Sequence, residues 1–372
     1  MRPPVLSKTT ILQPLPTPAS IADLLPPGSR SAATVQRARD EIRDIIHGRD
    51  KRLLVIAGPC SIHDPIAAVD YAERLLKLRT ELADSLCIVM RTYLEKPRTE
   101  FGWKGLINDP DLDGSCDIIK GIIISRRLLL NITDMGLPTA TEILDPLLFA
   151  YTGDLISWAS IGARTVTSPL HRHAVSGIDV PVGIKNSVDG NLRAAASAMK
   201  VAGRGHSYTG VDGDGQACLV TSSGNPDCHL VLRGGEFSAN HDARSVRDAL
   251  EVLRSRDLNE SIIVDCSHMN SRKEHHRQTA VCEEVVRQRC TGTSALRGVM
   301  IESAIAEGCQ RPDESPLRYG VSITDPCMGW DRTEDLLRGI ALTIQEENAQ
   351  NENGLMCGSL PIGQEAPSIV AG

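Results

Sequence analysis

Residues 53–60 read LLVIAGPC: an unbroken run of apolar or small residues, then proline, then a cysteine. A short continuous run closed by Gly-Pro is the pattern of a strand buried on both faces, because a half-exposed strand would alternate. Three further runs end in the same way. SIIVDCSH (261–268) stops at a histidine, LRGVMIE (296–302) at a glutamate and YGVSITD (319–325) at an aspartate. Each run reads as a buried strand with a metal-ligand residue at its carboxyl tip. Cys60, His268, Glu302 and Asp325 can close on one divalent cation only if the fold gathers those tips. The (β/α)8 barrel does so, since its parallel strands all point their carboxyl ends at one face.

The rest of the chain fits that frame. Strand patterns recur at 85–94 (SLCIVMRTYL), 137–144 (LPTATEIL), 155–162 (LISWASIG), 180–185 (VPVGIK) and within 207–233. With LLVIAG, SIIVDC and LRGVMI they make eight. Helical periodicity fills the intervals, as in AAVDYAERLLKLRTEL (67–82), and TEDLLRGIALTIQEEN (333–348) supplies a closing helix. The spacing predicts a TIM barrel over 49–348. An N-terminal arm and helix over 1–48 precede it, and ATVQRARDEIRDIIHG stops at Gly48. The polar stretch 349–372 is expected to be a disordered tail. Two segments, 95–117 and 207–233, exceed an ordinary βα loop, and the second reads as an inserted β-hairpin. Asp212-Gly213-Asp214-Gly215 has the look of a calcium loop but lacks its glycine and distal glutamate, so a hairpin turn is the expectation.

Composition removes several function classes. The chain has 372 residues, 41% hydrophobic and 23% charged, the balance of a globular protein. A net charge of −7 without a long basic run argues against a nucleic-acid partner. No apolar stretch has the length of a membrane span, and no signal-peptide core follows Met1. A cytoplasmic location is expected, with the 11 cysteines as reduced thiols that mostly fill the core, Cys87, Cys218 and Cys266 among them.

A second constellation is cationic. Arg91, Lys96, Arg98, Arg164, Lys185 and Arg233 all fall at or just past strand ends. An acidic protein that gathers cations on one face is set up to bind an anion there. The group matches ligands carrying about four to five negative charges, such as two phosphates and a carboxylate. Lys104, beside Trp103, covers the ring, and His275-His276 is a solvated pair. The S/N/O/O ligand set tolerates one iron, manganese, cobalt or zinc ion, and its thiolate disfavours calcium.

Eleven blocks carry a resemblance: GPCSIHD (58–64), MRTYLEKPRT (90–99), GWKGLINDPDLDGS (102–115), LPTATE (137–142), IGART (161–165), PVGIKN (181–186), SGNPDCH (223–229), LRGG (232–235), VDCSHMNS (264–271), MIES (300–303) and GVSITDPCMGW (320–330). In order and spacing the chain resembles type I 3-deoxy-D-arabino-heptulosonate 7-phosphate (DAHP) synthases of the microbial class with an N-terminal extension. The resemblance implies a metal-dependent barrel. Its reaction condenses phosphoenolpyruvate with erythrose 4-phosphate, the first step of the shikimate pathway and of aromatic amino acid biosynthesis. Residue by residue, it implies that Cys60, His268, Glu302 and Asp325 hold the metal. Arg91, Lys96, Arg164, Lys185 and Arg233 match the phosphoenolpyruvate contacts, with the Gly162-Ala163 backbone at its phosphate. Lys96, Arg98 and Thr99 match the aldose phosphate site, and Glu142 a carboxylate near the enol. Lys96, Cys60, His268 and Glu142 carry the catalytic expectation.

The chain departs from the family pattern mostly away from these positions: Val166-Thr167-Ser168-Pro169, Phe149-Ala150, Ile184, Ser187-Val188, Asp212, and Ala304 where a histidine is usual. Phe149-Ala150 and segment 207–211 lie where the family binds a feedback aromatic amino acid, and Gly210 leans toward tyrosine. The resemblance also implies a homodimer or homotetramer. The alternatives are a secondary-metabolism paralogue that uses a modified aldose phosphate, suggested by the altered 166–169 and 186–188 loops, and a non-catalytic regulatory barrel.

Overall fold

In a computed structural model, residues 13–357 are described apart from Thr99, with side chains described as far as residue 350. Helices α1 (Pro18–Leu24) and α2 (Ser29–Ile46) come first. Strands β1 (Leu53–Gly58), β2 (Leu86–Arg91), β3 (Thr139–Glu142), β4 (Trp158–Ile161) and β5 (Val182–Lys185) follow. A hairpin of β6 (Ser207–Val211) and β7 (Ala217–Thr221) interrupts the series before β8 (Cys228–Leu232), β9 (Ile262–Asp265) and β10 (Leu296–Glu302). The connecting helices are α3 (Pro65–Glu81), α4 (Ile118–Met135), α5 (Pro146–Phe149), α6 (Pro169–Ser176), α7 (Leu192–Ala202), α8 (Ala243–Arg254) and α9 (Gln278–Cys290), and α10 (Trp330–Cys357) closes the ring. Eight parallel strands form a closed barrel in the order β1-β10-β9-β8-β5-β4-β3-β2.

The unbroken apolar runs make sense on this scaffold. Along β1, Leu54 and Ile56 point into the barrel, whereas Leu53, Val55 and Ala57 pack under the helices. Every β1 and β2 residue is buried, so neither face can carry a polar alternation. The interior is filled by Cys87, Val89, Ala140, Trp158, Val231, Ile263 and Met300. Ile42, Ile45 and Ile46 of α2 join that same cluster. Their i, i+3, i+4 spacing puts them on one stripe of the helix. They stop the amino-terminal mouth of the barrel, which leaves the carboxyl face as the open end. Helix starts are set by local chemistry: Asp64, Asn191 and Asp242 each accept backbone N–H groups at the first turn of α3, α7 and α8.

Two expectations need correction. YGVSIT is not a strand. Within it only Ser322 forms a bridge, to Cys309, and the isolated bridges Gly308↔Cys327 and Ser303↔Met328 lie just after it. The physical reason is closure: β1 already pairs with β2 and β10, so no edge remains for a further strand. Asp325 is delivered instead by the long β10–α10 connection. The final helix also continues to Cys357, beyond the boundary expected at 348. The tail expectation for 358–372, like the first 12 residues of the arm, falls outside the described residues.

The hairpin turn is present as read. Asp212 Oδ1 accepts the N–H groups of Asp214 and Gln216 at 3.0 and 2.9 Å, and Gly215 takes φ +77°. The arm lies against its own barrel and hairpin. Ala19 N–H donates to Gly213 O at 2.9 Å, and Tyr151 Oη to Pro16 O at 2.7 Å.

Gly183 is a packing requirement in the interior. A Cβ there would lie 2.5 Å from Trp158 Cζ2 and 2.6 Å from Val231 Cγ2. Gly183→Ala is expected to destabilise the fold by about 1–3 kcal/mol through overpacking. Urea denaturation checks this, and an unchanged midpoint would show that the interior has slack.

Candidate active site

The pairing register lines up the chemistry at the open end. Gly58 of β1 pairs with Glu302 of β10, Arg91 of β2 with Ala140 of β3, and Lys185 of β5 with Val231 of β8. Cys60 follows β1 by two residues and so meets Glu302. One ligand atom each from Cys60, Glu302 and Asp325 lie within 4.8 Å of one another. His268 joins from the β9 loop, with Nε2 3.8 Å from Glu302 Oε1. Its backbone is left-handed at φ +50°. Its Nδ1 stands 2.9 Å from Asp265 Oδ2 and 2.8 Å from Ser267 Oγ, which leaves Nε2 as the atom facing the cluster. Gln278 fixes the Glu302 backbone from both sides, at 2.8 and 3.0 Å.

This donor set suits a divalent cation. One sulfur, one imidazole nitrogen and two carboxylates converge, and the gap already attracts positive charge. Lys96 Nζ lies 2.8 Å from Cys60 Sγ and 2.7 Å from Asp325 Oδ2. Burial, aided by the Glu302 carboxylate, pushes the Cys60 thiol up to about 11. Burial works against the Asp325 carboxylate too, but Lys96 outweighs it and holds the group well below the usual range. A cation held here would therefore have to displace the thiol proton.

Beside the cage sits the cationic bowl. Arg91, 2% exposed, donates to Pro59 O (3.0 Å), Cys60 O (3.1 Å) and Glu302 Oε1 (2.9 Å). Lys185, 3% exposed, pairs with Glu142 Oε2 at 2.7 Å. Burial opposes charge on both partners, and their attraction prevails: Glu142 is lowered and Lys185 raised. Arg233 is 8% exposed and lies close enough to Arg164 for the two cations to disfavour one another, a secondary effect beside burial. Gly162 is where the backbone must come close, since a Cβ there would lie 2.2 Å from Glu142 Oε1. Ala163 and the exposed Arg164 follow it on the loop after β4. Arg98 is exposed at the rim, with Nε bonded to Trp103 O at 2.8 Å. Thr99 lies outside the described residues.

Several contributors were not singled out from the sequence. Asp265 orients His268, and a carboxylate three residues before a candidate ligand was the available signal. Asn186 Oδ1 accepts Arg233 N–H at 2.9 Å, Asn240 Oδ1 accepts Gly234 N–H at 2.7 Å, and Asn270 Oδ1 accepts Asn240 N–H at 2.8 Å. These three side chains tie the tips of β5, β8 and β9 together around Arg233. Lys273 stands 3.6 Å from Asp325 Oδ1.

Comparison with known proteins matches this geometry to one family. The profile of the DAHP synthetase I family covers residues 30–338. The chain belongs to the DAHP synthetase I family. The Tyr-sensitive phospho-2-dehydro-3-deoxyheptonate aldolase of Escherichia coli is 48% identical over 330 residues, 88% of this chain and 92% of that protein. The Trp-sensitive enzyme of the same organism is 46% identical over 338 residues, 91% of this chain and 97% of the relative. A solved aldolase from Francisella tularensis superposes with a TM-score of 0.89 at 40% identity, over 91% of this chain and 99% of that one. The barrel, the family and the enzyme class expected from sequence are thus all found, and members of this family generally depend on a metal.

Glu95 gives a pH test of the mouth. Burial pushes its carboxyl from 4.5 up to about 7, against the help of the Asp145 N–H at 3.2 Å. Between those values the folded protein holds a proton that the unfolded chain has lost, so stability falls as pH rises and levels off above about 7. Glu95→Gln removes this penalty. Its gain in melting temperature over wild type is expected to widen from about pH 5 to about pH 8. A gap that stays constant with pH would overturn the assignment.

Proposed function

We propose that the open end of this barrel binds phosphoenolpyruvate and erythrose 4-phosphate side by side and joins them, the first step of the shikimate pathway. One observation carries this reading. A cage of Cys60, His268, Glu302 and Asp325 stands directly against buried Arg91, with Lys96 inside it, and buried Lys185 shares the ring of Tyr93 with Arg91. The bowl supplies positive charge for two phosphorylated substrates, and the cage holds one divalent cation next to where they meet.

Arg91, Arg164, Lys185 and Arg233 take the carboxylate and phosphate of phosphoenolpyruvate, with Gly162-Ala163 giving the close backbone approach. Lys96, Arg98 and Thr99 take the aldose phosphate. Holding two mutually repelling anions at reaction distance makes a bimolecular encounter local. When bound, the cation, whether manganese, iron, cobalt or zinc, supplies Lewis-acid polarisation of the aldehyde oxygen. C3 of phosphoenolpyruvate forms a bond to the aldehyde carbon, and its π electrons leave C2 electron-poor. Lys96, kept protonated by Cys60, Glu302 and Asp325 against the cost of burial, is placed to stabilise and protonate the new alkoxide. Water adds at C2, and the C–O bond to phosphate breaks. The atoms balance as phosphoenolpyruvate plus erythrose 4-phosphate plus water giving DAHP plus phosphate. Glu142, held by Lys185, keeps a negative charge near the enol carbon as C2 becomes positive.

The finer reading adds an aromatic effector, tyrosine favoured, at the surface formed by the arm, α5 and the β6–β7 hairpin, in a cytoplasmic homodimer or homotetramer. Support comes from relatives named for sensitivity to tyrosine, phenylalanine or tryptophan. Gly210 is also tightly constrained, since a Cβ there would meet Val220 at 2.5 Å.

Phosphate release from phosphoenolpyruvate is expected to require erythrose 4-phosphate, to stop with a chelator and to return with added divalent metal. Tyrosine should inhibit it more than phenylalanine. Lys96→Met is expected to lower kcat by about 10²–10⁴-fold with a folded protein. Chelator-resistant turnover, or a Lys96→Met variant within a few-fold of wild type, would refute the mechanism.

A further inference from the structure

Tyr93 is two residues past the end of β2 and 3% exposed. Two of the bowl's cations rest against it. The Arg91 guanidinium carbon is 3.5 Å from the ring centroid, and Lys185 Nζ is 5.3 Å from the same centroid. Its hydroxyl lies 3.2 Å from Ser160 Oγ, 3.5 Å from Lys185 Nζ and 3.8 Å from Met300 Sδ. Its carbonyl accepts the Ile62 N–H at 2.9 Å, which ties it to the loop that carries Cys60. The ring is therefore held from both ends, by β4 at its tip and by the β1 loop at its backbone.

Two buried cations on neighbouring sides of a small bowl repel each other, and each is already paired with a carboxylate. Arg91 has Glu302 and Lys185 has Glu142. The negative face of the aromatic ring offers Arg91, and more weakly Lys185 at the ring's hydroxyl end, a second attraction directed elsewhere, and one that adds no charge. A carboxylate in the same place would neutralise the bowl. A neutral aliphatic side chain would leave each cation with its carboxylate and no opposing attraction.

We propose that Tyr93 is a positioning residue for phosphoenolpyruvate: its π face sets the spacing of Arg91 and Lys185 and keeps both turned toward the bound anion. This rests on the reading that those two cations hold that substrate. The relevant property is the ring's electron density; the hydroxyl, 3.5 Å from Lys185 Nζ, adds only a weak contact at the limit of a hydrogen bond.

The test uses Tyr93→Leu, Tyr93→Phe, and the same position carrying 3,4,5-trifluorophenylalanine, which keeps the shape but drains the π face. Steady-state KM for both substrates, kcat and thermal midpoint are measured for each, with Lys185→Ala as reference. Tyr93→Phe is expected to stay within about threefold of wild type in the KM for phosphoenolpyruvate, and Tyr93→Leu to raise it about tenfold or more. The trifluoro variant should raise it about fivefold over Tyr93→Phe, with the thermal midpoint and the KM for erythrose 4-phosphate unmoved. A trifluoro variant that matches Tyr93→Phe overturns the proposal, because packing alone would then account for the residue. Should Lys185→Ala leave the KM for phosphoenolpyruvate unchanged, the underlying reading of the bowl fails instead, a result separable from the first.

Discussion

Parallel pairing of β1 with β10, in the register that sets Gly58 against Glu302, is the contact on which the site depends. It closes the barrel, and it brings a cysteine near the start of the chain against a glutamate near its end. A slip of one residue would turn Glu302 to the opposite face of the sheet and break up the cage. The register is held by packing on both sides of the strands: Leu54 and Ile56 among interior side chains, Leu53, Val55 and Ala57 under the helices. Helix α2 adds to this from below by stopping the other mouth, so chemistry is confined to one end.

Charge balance is the second constraint. Three cations of the bowl are each matched to an acid: Arg91 to Glu302, Lys185 to Glu142, Lys96 to Asp325. Without a partner, any one of these groups would be costly to bury, because desolvation of a lone ion is not recovered. The network is already oriented, and a metal ion held by Cys60 and Asp325 would have to take over part of the Lys96 contact. Tyr93 is the uncharged member of this network, and it is suited to a place where one more charge of either sign would upset the sum.

Much of this was readable in the chain because parallel barrels leave a strong trace: continuous apolar runs, and reactive residues directly after them. Cys60, His268 and Glu302 were singled out that way, and the structure brings them together. Asp325 was singled out for the wrong local reason, since YGVSIT has the composition of a strand but arrives after the barrel is closed. What stayed hidden depends on contacts between distant segments. Asp265 looks like an interruption of an apolar run until His268 curls back over it in a left-handed conformation. Asn186, Asn240 and Asn270 sit on three different connections and form one network only once β5, β8 and β9 are side by side. Tyr93 lay inside a block that was quoted for its cations, and nothing in the local sequence says that Lys185, 92 positions later, rests on its ring.

The cage is tested most directly by titrating metal-stripped protein with cobalt(II) and recording its absorption spectrum, for the wild type and for Cys60→Ser. Saturation near one equivalent with a sulfur-to-cobalt charge-transfer band, lost in Cys60→Ser, is the expected result. Tight binding of cobalt with no such band, or a band that survives Cys60→Ser, would contradict a single cation held between the tips of β1, β9 and β10.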